Sequence, residues 1–219
     1  HVVELGGIDA AGPKTLPTPL NSSSDESLVR CLDADATAKM IAAIDAAKAA
    51  GDTLGGVVEV VARGLVVGLG SHVSWDRKLD GQLAQAVLSI PAVKAMGIGA
   101  GFEAARLPGS QVHDEIVKGG RSATGGFARR TNRAGGLEGG MTTGEPLVLH
   151  VAMKPISTLM TPLGTVDLRT GGEARAQSER SDVTAVPAMG VIAEAMTGLV
   201  LADAMAEKFG GDSLGEMRT

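Results

Sequence analysis

The sequence predicts a mixed α and β fold in which helices cover a sheet. Helix-like and strand-like segments alternate through the first hundred residues, and both helical segments there are apolar on one side only. Glycine occurs 31 times, while the chain contains three Phe, one Trp and no Tyr. We therefore expect a closely packed core made of aliphatic side chains.

The first half of the chain contains three predicted strands and two predicted helices. HVVELGGI at its start is predicted to form a strand, and a loop rich in Pro, Ser and Asn follows through Ser24. The first helix begins near Asp33 or Asp35, either of which can serve as N-cap, and ends at Gly51. Its expected buried stripe comprises Met40, Ile41 and Ile44.

A second strand and a second helix follow in the same pattern. The β-branched run GVVEVVARGL predicts a strand at 56–65, and helical spacing of apolar residues predicts a helix at 76–90. The expected buried positions of this helix are Leu79, Leu83, Ala86, Val87 and Ile90. Pro91 ends it, and a third strand is expected at 93–98.

The second half is predicted to end in a long apolar helix. Short strands at 165–169 and 174–178 suggest a hairpin about Gly171-Gly172, and GGRSATGGFARR at 119–130 is expected to be mobile. A helix is predicted from Pro187 to Phe209. Between residues 187 and 202 its only polar side chains are Glu194 and Thr197. A helix that is apolar nearly all round predicts central burial, and we expect it to be too short and too interrupted for a membrane span.

Composition narrows the possible partners. The formal net charge is −5, and the few aromatic rings offer little for bases to stack on, so nucleic acid is not an expected partner. Cys31 is the only cysteine, so the chain has no intrachain disulfide and a reducing compartment, the cytoplasm, is expected. Because His1 stands within a predicted strand, we expect the chain to be a fragment that lacks an N-terminal portion.

The stretch 131–158 combines a glycine-rich loop, a strand and a polar exit. TNRAGGLEGGMTTGEP leads into the apolar run LVLHVAM, which ends where Pro155 follows Lys154. Ser157 and Thr158 come directly afterwards. Free amides, hydroxyls and an ammonium suit an anion such as phosphate. The alternative is a plain glycine-rich turn beside a solvated lysine, and this stretch alone leaves both open.

Several other motifs do not support a site. The glycines at 97–101 lack the last glycine of a dinucleotide fingerprint, because Phe102 stands there. The segment 120–126 has P-loop spacing without its lysine, and His113-Asp114-Glu115 lacks a second histidine, so no metal site is predicted. The chain also has no Gly-x-Ser-x-Gly elbow for a serine nucleophile.

A further polar cluster precedes the long apolar helix. Arg180-Ser181-Asp182 lies just before it, where the field of a helix N-terminus favours anions. The alternative is an exposed ion pair that contributes under about 1 kcal/mol.

These segments resemble the chorismate synthase family. RSDVTAVPAMGVIAEAM is similar to the family's C-terminal signature, and TNRAGGLEGGMTTGEP and AMKPIST are similar to its central motifs. The resemblance covers essentially the whole chain, in the order of the family's C-terminal portion. HVVELGGIDA, GSQVHDEI and EKFGGDSLGE are most similar to actinobacterial-type members.

The resemblance implies a fold, a reaction and an assembly. The fold would be α+β, a β-α-β sandwich with helices enclosed by antiparallel sheets, and residues 1–219 would be the C-terminal portion of a single such domain whose N-terminal portion is absent. The reaction would be the 1,4-anti elimination of phosphate from 5-enolpyruvylshikimate 3-phosphate, which gives chorismate and needs reduced FMN without net redox change. The resemblance also associates NADP with the enzyme and implies a cytoplasmic homotetramer, with no membrane partner.

The resemblance also implies roles for individual residues. Contacts to the flavin would come from Asn132, Lys154, Thr158 and Asp182, with Gly139 and Gly140 shaping its pocket. Arg180 would face the substrate, and Asp182, with Asn132 as its companion, would act in catalysis. The family's two histidine motifs are not in this chain, so none of its four histidines is assigned to catalysis.

A second class of function stays open. A truncated, non-catalytic product could retain only flavin-binding or oligomerisation surfaces. The enzyme interpretation requires a coding region upstream of His1 that carries the two histidine motifs, and the alternative does not. On the enzyme interpretation, this chain alone is expected to be inactive.

Overall fold

A computed structural model describes residues 1–13, 15–119, 126–210 and 213–215. Its strands are β1 (Val2–Leu5), β2 (Ile8–Asp9), β3 (Gly56–Ala62), β4 (Val93–Ile98), β5 (Ile116–Lys118), β6 (Phe127–Arg129), β7 (Leu137–Glu138), β8 (Met141–Thr142), β9 (Leu147–Met153), β10 (Gly164–Val166) and β11 (Glu173–Arg175). Its α-helices are α1 (Leu20–Asp25), α2 (Ala34–Ala50), α3 (Leu79–Leu88), α4 (Gly109–Val112) and α5 (Val186–Phe209). Short 3-10 helices lie at Trp75–Arg77 and Gly101–Arg106.

The chain divides into two compact units, each made from two separate segments. The first unit comprises residues 1–58 and 152–190, and the second comprises residues 59–151 and 191–219. The main sheet has the strand order β2-β1-β3-β9-β4, and three further two-stranded sheets pair β5 with β6, β7 with β8, and β10 with β11. The combination of helices with antiparallel pairings confirms the predicted α+β class.

In the first unit, β1 pairs antiparallel with β2 and with the start of β3. The register joins Glu4 to Asp9 on one side and Leu5 to Gly56 on the other. Val2 and Leu5 are both buried, although residues three apart in a regular strand face opposite sides. The β1–β3 register shifts between Val2 and Glu4, and this irregularity interrupts the alternation. The predicted hairpin is present as β10 and β11, whose turn includes Gly171 with φ 70°.

Helix α2 confirms the sequence prediction and its capping residues. The carboxylate of Asp33 accepts a hydrogen bond from the amide of Ala36, which makes Asp33 the N-cap. Gly51 ends the helix in the left-handed region at φ 71°. Met40 is buried as predicted, whereas Ile41 and Ile44 are only half-buried.

The second unit contains α3, β4 and the glycine-rich loop that precedes β9. Apolar residues at helical spacing bury one side of α3, as predicted: Leu79, Leu83 and Val87. Strand β9 is buried at alternate positions: Leu147, Leu149 and Val151. The predicted helix 76–90 is thus divided into a 3-10 turn and a shorter α-helix.

Helix α5 begins one residue before the predicted start and ends where predicted, but its predicted central burial is wrong for this chain. One stripe is buried, comprising Val186, Met189, Ala193, Thr197, Leu201 and Ala204. Val191, Ile192 and Leu199 are 47%, 48% and 65% exposed, because the described residues cover only one face of the helix. This 24-residue helix is long and apolar enough to cross a membrane, so the prediction that it is too short for a membrane span is wrong. Core helices of soluble proteins can have the same length and composition.

Two loop predictions need correction. The segment predicted as loop through Ser24 contains the short helix α1. The segment 119–130, predicted to be mobile, overlaps strand β6, which pairs antiparallel with β5 from Ile116↔Arg129 to Lys118↔Phe127. Residues 120–125, where the rejected P-loop spacing lies, are outside the described residues.

Candidate functional site

The exit of β9 places Lys154 and Thr158 on an irregular segment of the first unit. Pro155 cannot donate to a ladder, so the strand ends at Met153. Lys154 is exposed, and Thr158 is half-buried. The Thr158 carbonyl accepts a hydrogen bond from the Ser181 hydroxyl at 2.7 Å. This bond brings the predicted lysine motif together with the predicted arginine and aspartate motif.

Arg180 and Asp182 flank Ser181 just before α5, as predicted, and both are exposed. Neither side chain, nor that of Lys154, forms a hydrogen bond or ion pair within the part of the chain that the structure describes. The structural alternative of an internal Arg180–Asp182 ion pair is therefore not what the structure shows. The three charges remain available to a ligand.

A cavity of about 590 Å³ adjoins this cluster within the first unit. Its lining includes the whole segment 180–184, Met160 from the segment after β9, and residues from α2 and the turn after it: Ile44, Asp45, Lys48, Gly51, Asp52 and Thr53. Its volume lies in the range of small-molecule sites. The turn Gly51–Thr53 was not among the predicted site residues. The only feature of the sequence that could have indicated a site there is a short polar stretch, Asp52-Thr53, between the glycine that ends α2 and the next strand.

Asn132 lies in the second unit, where its side chain spans the glycine-rich loop. The side-chain amide nitrogen donates to the carbonyl of Pro146, and the side-chain oxygen accepts from the amide of Gly136, both at 2.8 Å. Asn132 therefore holds the turn that contains Gly135 and Gly136. One of its two amide hydrogens remains for another acceptor.

Gly139 and Gly140 occupy different surroundings in the same loop. Both have positive φ, at 62° and 88°. A Cβ on Gly139 would meet nothing within 4 Å, whereas a Cβ on Gly140 would lie 2.6 Å from the Lys78 side chain and 2.8 Å from the Ser71 carbonyl. Gly140 is therefore required by packing, while the main chain at Gly139 is open to close approach.

Asp114 anchors the start of this loop. Its carboxylate is buried and accepts hydrogen bonds from the amides of Arg133 and Ala134, at 2.8 and 2.9 Å, and from the Thr131 hydroxyl. Burial raises the pKa of Asp114, but these hydrogen bonds and the charge of Arg129 outweigh it, so the pKa is lowered below its ordinary value. Sequence reasoning considered Asp114 only as a metal ligand and missed this role.

The described residues contain no group of three or more His, Cys, Asp or Glu side chains that could hold a metal ion. His150 pairs with Glu59 at 3.2 Å. In the first unit, the candidate residues offer two cations and a free carboxylate, which suit an anionic ligand and the uptake of a proton. In the second unit, the candidate residues offer a side-chain amide at Asn132 and an open glycine at Gly139.

Comparison with known proteins shows consistent similarity. The family model described as "Chorismate synthase" matches residues 1–206. Chorismate synthase of Streptomyces coelicolor is 57% identical over 219 residues, which are 100% of this chain and 54% of that protein. The enzyme named chorismate synthase of Acidothermus cellulolyticus is also 57% identical, over 100% of this chain and 55% of that protein.

Structural comparison agrees. A solved structure titled "Crystal Structure of Chorismate Synthase" matches with a TM-score of 0.80 at 40% identity, over 99% of this chain and 59% of that chain. The chain thus spans about half the length of the curated relatives it matches. The resemblance drawn from the motifs is confirmed by these matches.

Proposed function

Because this chain belongs to the chorismate synthase family, we propose that the full-length protein containing it converts 5-enolpyruvylshikimate 3-phosphate to chorismate. The reaction is a 1,4-anti elimination in which a C–O bond and a C–H bond break and phosphate leaves. The observation that carries the proposal is the free charge of Lys154, Arg180 and Asp182, at the positions of the family motifs. These side chains pair with no described residue, so they are available to a phosphorylated ligand.

The proposed cofactor is reduced FMN, and the residues present fit such a group. Lys154 offers a cation, Thr158 a hydroxyl, and Asn132 a remaining amide hydrogen. At Gly139 the main chain is open to close approach, while Gly140 maintains the loop. The family resemblance alone implies that these residues and Asp182 would contact the same flavin. When bound, reduced FMN would supply electron density for the departure of phosphate.

The chain's own residues would provide charge stabilisation and a proton acceptor. Arg180 would bind the anionic substrate through its planar fork of donors, which matches carboxylate and phosphate oxygens. Lys154 would add positive charge where negative charge accumulates. Asp182 would take up the proton that the elimination releases. The family resemblance alone implies Asn132 as its companion. The homotetramer, the association with NADP and the cytoplasmic location are proposed on the family resemblance alone.

One observation favours a second candidate, a non-catalytic product that retains only binding or assembly surfaces. The apolar residues Val191, Ile192 and Leu199 of α5 are exposed in this chain. An exposed apolar face of this kind marks an interaction surface more often than a catalytic site.

The test is chorismate formation under anaerobic conditions with prereduced FMN. The purified full-length protein is expected to release chorismate and phosphate in equal amounts, and a full-length protein that forms neither would overturn the proposal. The isolated 219-residue chain is expected to bind FMN weakly and to form no chorismate. Chorismate formation by the isolated chain above a no-enzyme control would contradict that second expectation.

A further inference from the structure

The turn Gly51–Leu54, between α2 and β3, has no role in the function proposed above. Thr53 is its only buried polar side chain, at 6% exposure. A buried hydroxyl is unfavourable unless it is hydrogen-bonded. The partners of this turn therefore indicate why a threonine is buried there.

The turn first binds the segment that follows β9. The Thr53 hydroxyl donates to the Ile156 carbonyl at 2.6 Å, although 103 residues separate them. The amide of Thr161 donates to the Gly51 carbonyl at 3.1 Å, and the Thr161 hydroxyl donates to the Ala50 carbonyl at 3.1 Å. These bonds lie on both sides of Thr158: Ile156 is within the Lys154–Thr158 segment, and Thr161 is three residues beyond it.

The same turn also binds the segment before α5. The amide of Leu54 donates to the Val183 carbonyl at 2.7 Å, one residue beyond Asp182. Ser181 closes the arrangement, because its hydroxyl donates to the Thr158 carbonyl. One hydrogen bond thus joins the segment after β9 to the segment before α5, and each of these segments also forms its own hydrogen bonds with the turn.

The turn and Gly55, which follows it, are closely packed against the segment around β9's end. A Cβ at Gly51 would lie 2.6 Å from the Thr161 hydroxyl oxygen, and at Gly55 it would lie 2.4 Å from the Met153 carbonyl oxygen. At Gly55 the two main chains therefore approach more closely than a residue with a Cβ would allow, and at Gly51 the positive φ of 71° also favours glycine. Asp52 and Thr53 also line the cavity that adjoins Arg180 and Asp182.

We propose that Thr53 is a positioning residue, which holds the Lys154–Thr158 segment in register with the Arg180–Asp182 segment. The inference rests on the proposed function, because the two segments that Thr53 holds carry the residues proposed to bind the flavin and the substrate. Ligand groups must be held to within a fraction of an ångström by supporting hydrogen bonds, and a buried threonine hydroxyl bound to a main-chain carbonyl provides such support.

The test compares Thr53→Val, which keeps the shape but removes the hydroxyl, with Thr53→Ser, which keeps the hydroxyl. The matched control is Thr197→Val, because the hydroxyl of Thr197 is also buried and donates to a carbonyl, that of Ala193 at 2.8 Å, but does not line the cavity. Each full-length variant is measured by amide hydrogen exchange and by FMN titration.

We expect Thr53→Val to accelerate exchange at 156–161 and 181–184 and to weaken FMN binding about tenfold, as expected for one lost buried hydrogen bond. Thr53→Ser should bind FMN within about threefold of the parent, and Thr197→Val should leave FMN affinity unchanged. Faster exchange with FMN affinity unchanged would make Thr53 a structural residue only and overturn the proposal. Failure of Thr53→Ser to restore affinity would do the same.

If Thr53→Val does not fold, Ser181→Ala decides the question, because it removes the direct bond between the two segments at a less buried position. Weaker FMN binding by Ser181→Ala would support the proposal that FMN binding depends on the alignment of the two segments. Unchanged FMN binding would refute it. A parent protein that forms no chorismate refutes the proposed function instead, while the exchange and FMN measurements still decide the role of Thr53.

Discussion

The hydroxyl of Ser181 donates a hydrogen bond to the main-chain carbonyl of Thr158 across 2.7 Å. The bond ties the segment before α5 to the segment after β9 and uses the one uncharged residue of Arg180-Ser181-Asp182. Its charged neighbours make no bond to any residue that the structure describes. Ser181 therefore supports the backbone, while Arg180 and Asp182 are left to a ligand.

Arg180→Ala is expected to weaken substrate binding without destabilising the fold. Its exposed guanidinium has no partner among the described residues, so the thermal midpoint should hardly change. Loss of a charge pair that the substrate desolvates should cost roughly 2–5 kcal/mol in kcat/KM. Arg180→Lys should restore activity only in part, because the planar fork is lost.

The measurement is steady-state kinetics of chorismate formation by the full-length protein. Arg175→Ala is the matched control, since Arg175 is an exposed arginine of the same unit, on β11. An Arg180→Ala protein with the kcat and KM of its parent would remove Arg180 from the site.

Asp182→Asn is expected to slow catalysis while leaving folding and FMN binding largely intact. If Asp182 takes up a proton, single-turnover chorismate formation with prereduced FMN should slow by about 10²–10⁴-fold. If Asp182 takes no part in proton transfer, asparagine should replace it at little cost, because its carboxylate forms no hydrogen bond with any described residue and the Val186 amide at the start of α5 donates instead to the Thr184 hydroxyl.

The control for this comparison is Asp203→Asn, which changes an exposed aspartate within α5. A rate for Asp182→Asn within about threefold of the parent, far less than acid–base participation requires, would remove Asp182 from proton transfer.

Asn132→Asp is expected to destabilise the glycine-rich loop. The change keeps an acceptor for the amide of Gly136 but sets a carboxylate oxygen against the Pro146 carbonyl. The free energy of unfolding, measured with urea, should fall by about 1–3 kcal/mol. Gln82→Glu is the control, because Gln82 donates to the Asp76 carbonyl at an exposed position. Equal losses for the two variants would show that the Asn132 bridge does not support the loop.

Asp114→Asn is expected to reduce stability in a pH-dependent way. The folded state lowers the pKa of Asp114 below 3.8, so its contribution is present above that value and is lost as pH falls through the folded pKa. The variant should be about 2 kcal/mol less stable at neutral pH, because it loses a charged hydrogen-bond acceptor. Urea unfolding between neutral pH and strong acid should show this difference shrinking below 3.8. A difference that stays constant into strong acid would contradict the lowered pKa.

Local signals determined much of the fold. Asp33 and Gly51 cap α2 through bonds and backbone angles that involve only nearby residues, so the sequence predicted both ends. Pro155 likewise ended β9 as predicted. The charged site residues could also be named, because the motifs around Lys154 and Arg180 are contiguous. Their roles in binding and catalysis stay predictions.

Only the tertiary structure decided what depends on residues distant in sequence. The role of Thr53 arises from a carbonyl 103 residues away, and that of Asp114 from a loop about 20 residues away, so no local pattern could show either. The burial of helix α5 also depended on the tertiary structure. Its sequence is apolar nearly all round, but the neighbouring residues that the structure describes cover only one of its faces. Sequence determined the elements and the chemical groups, and long-range hydrogen bonds and burial decided which groups support the backbone and which remain free.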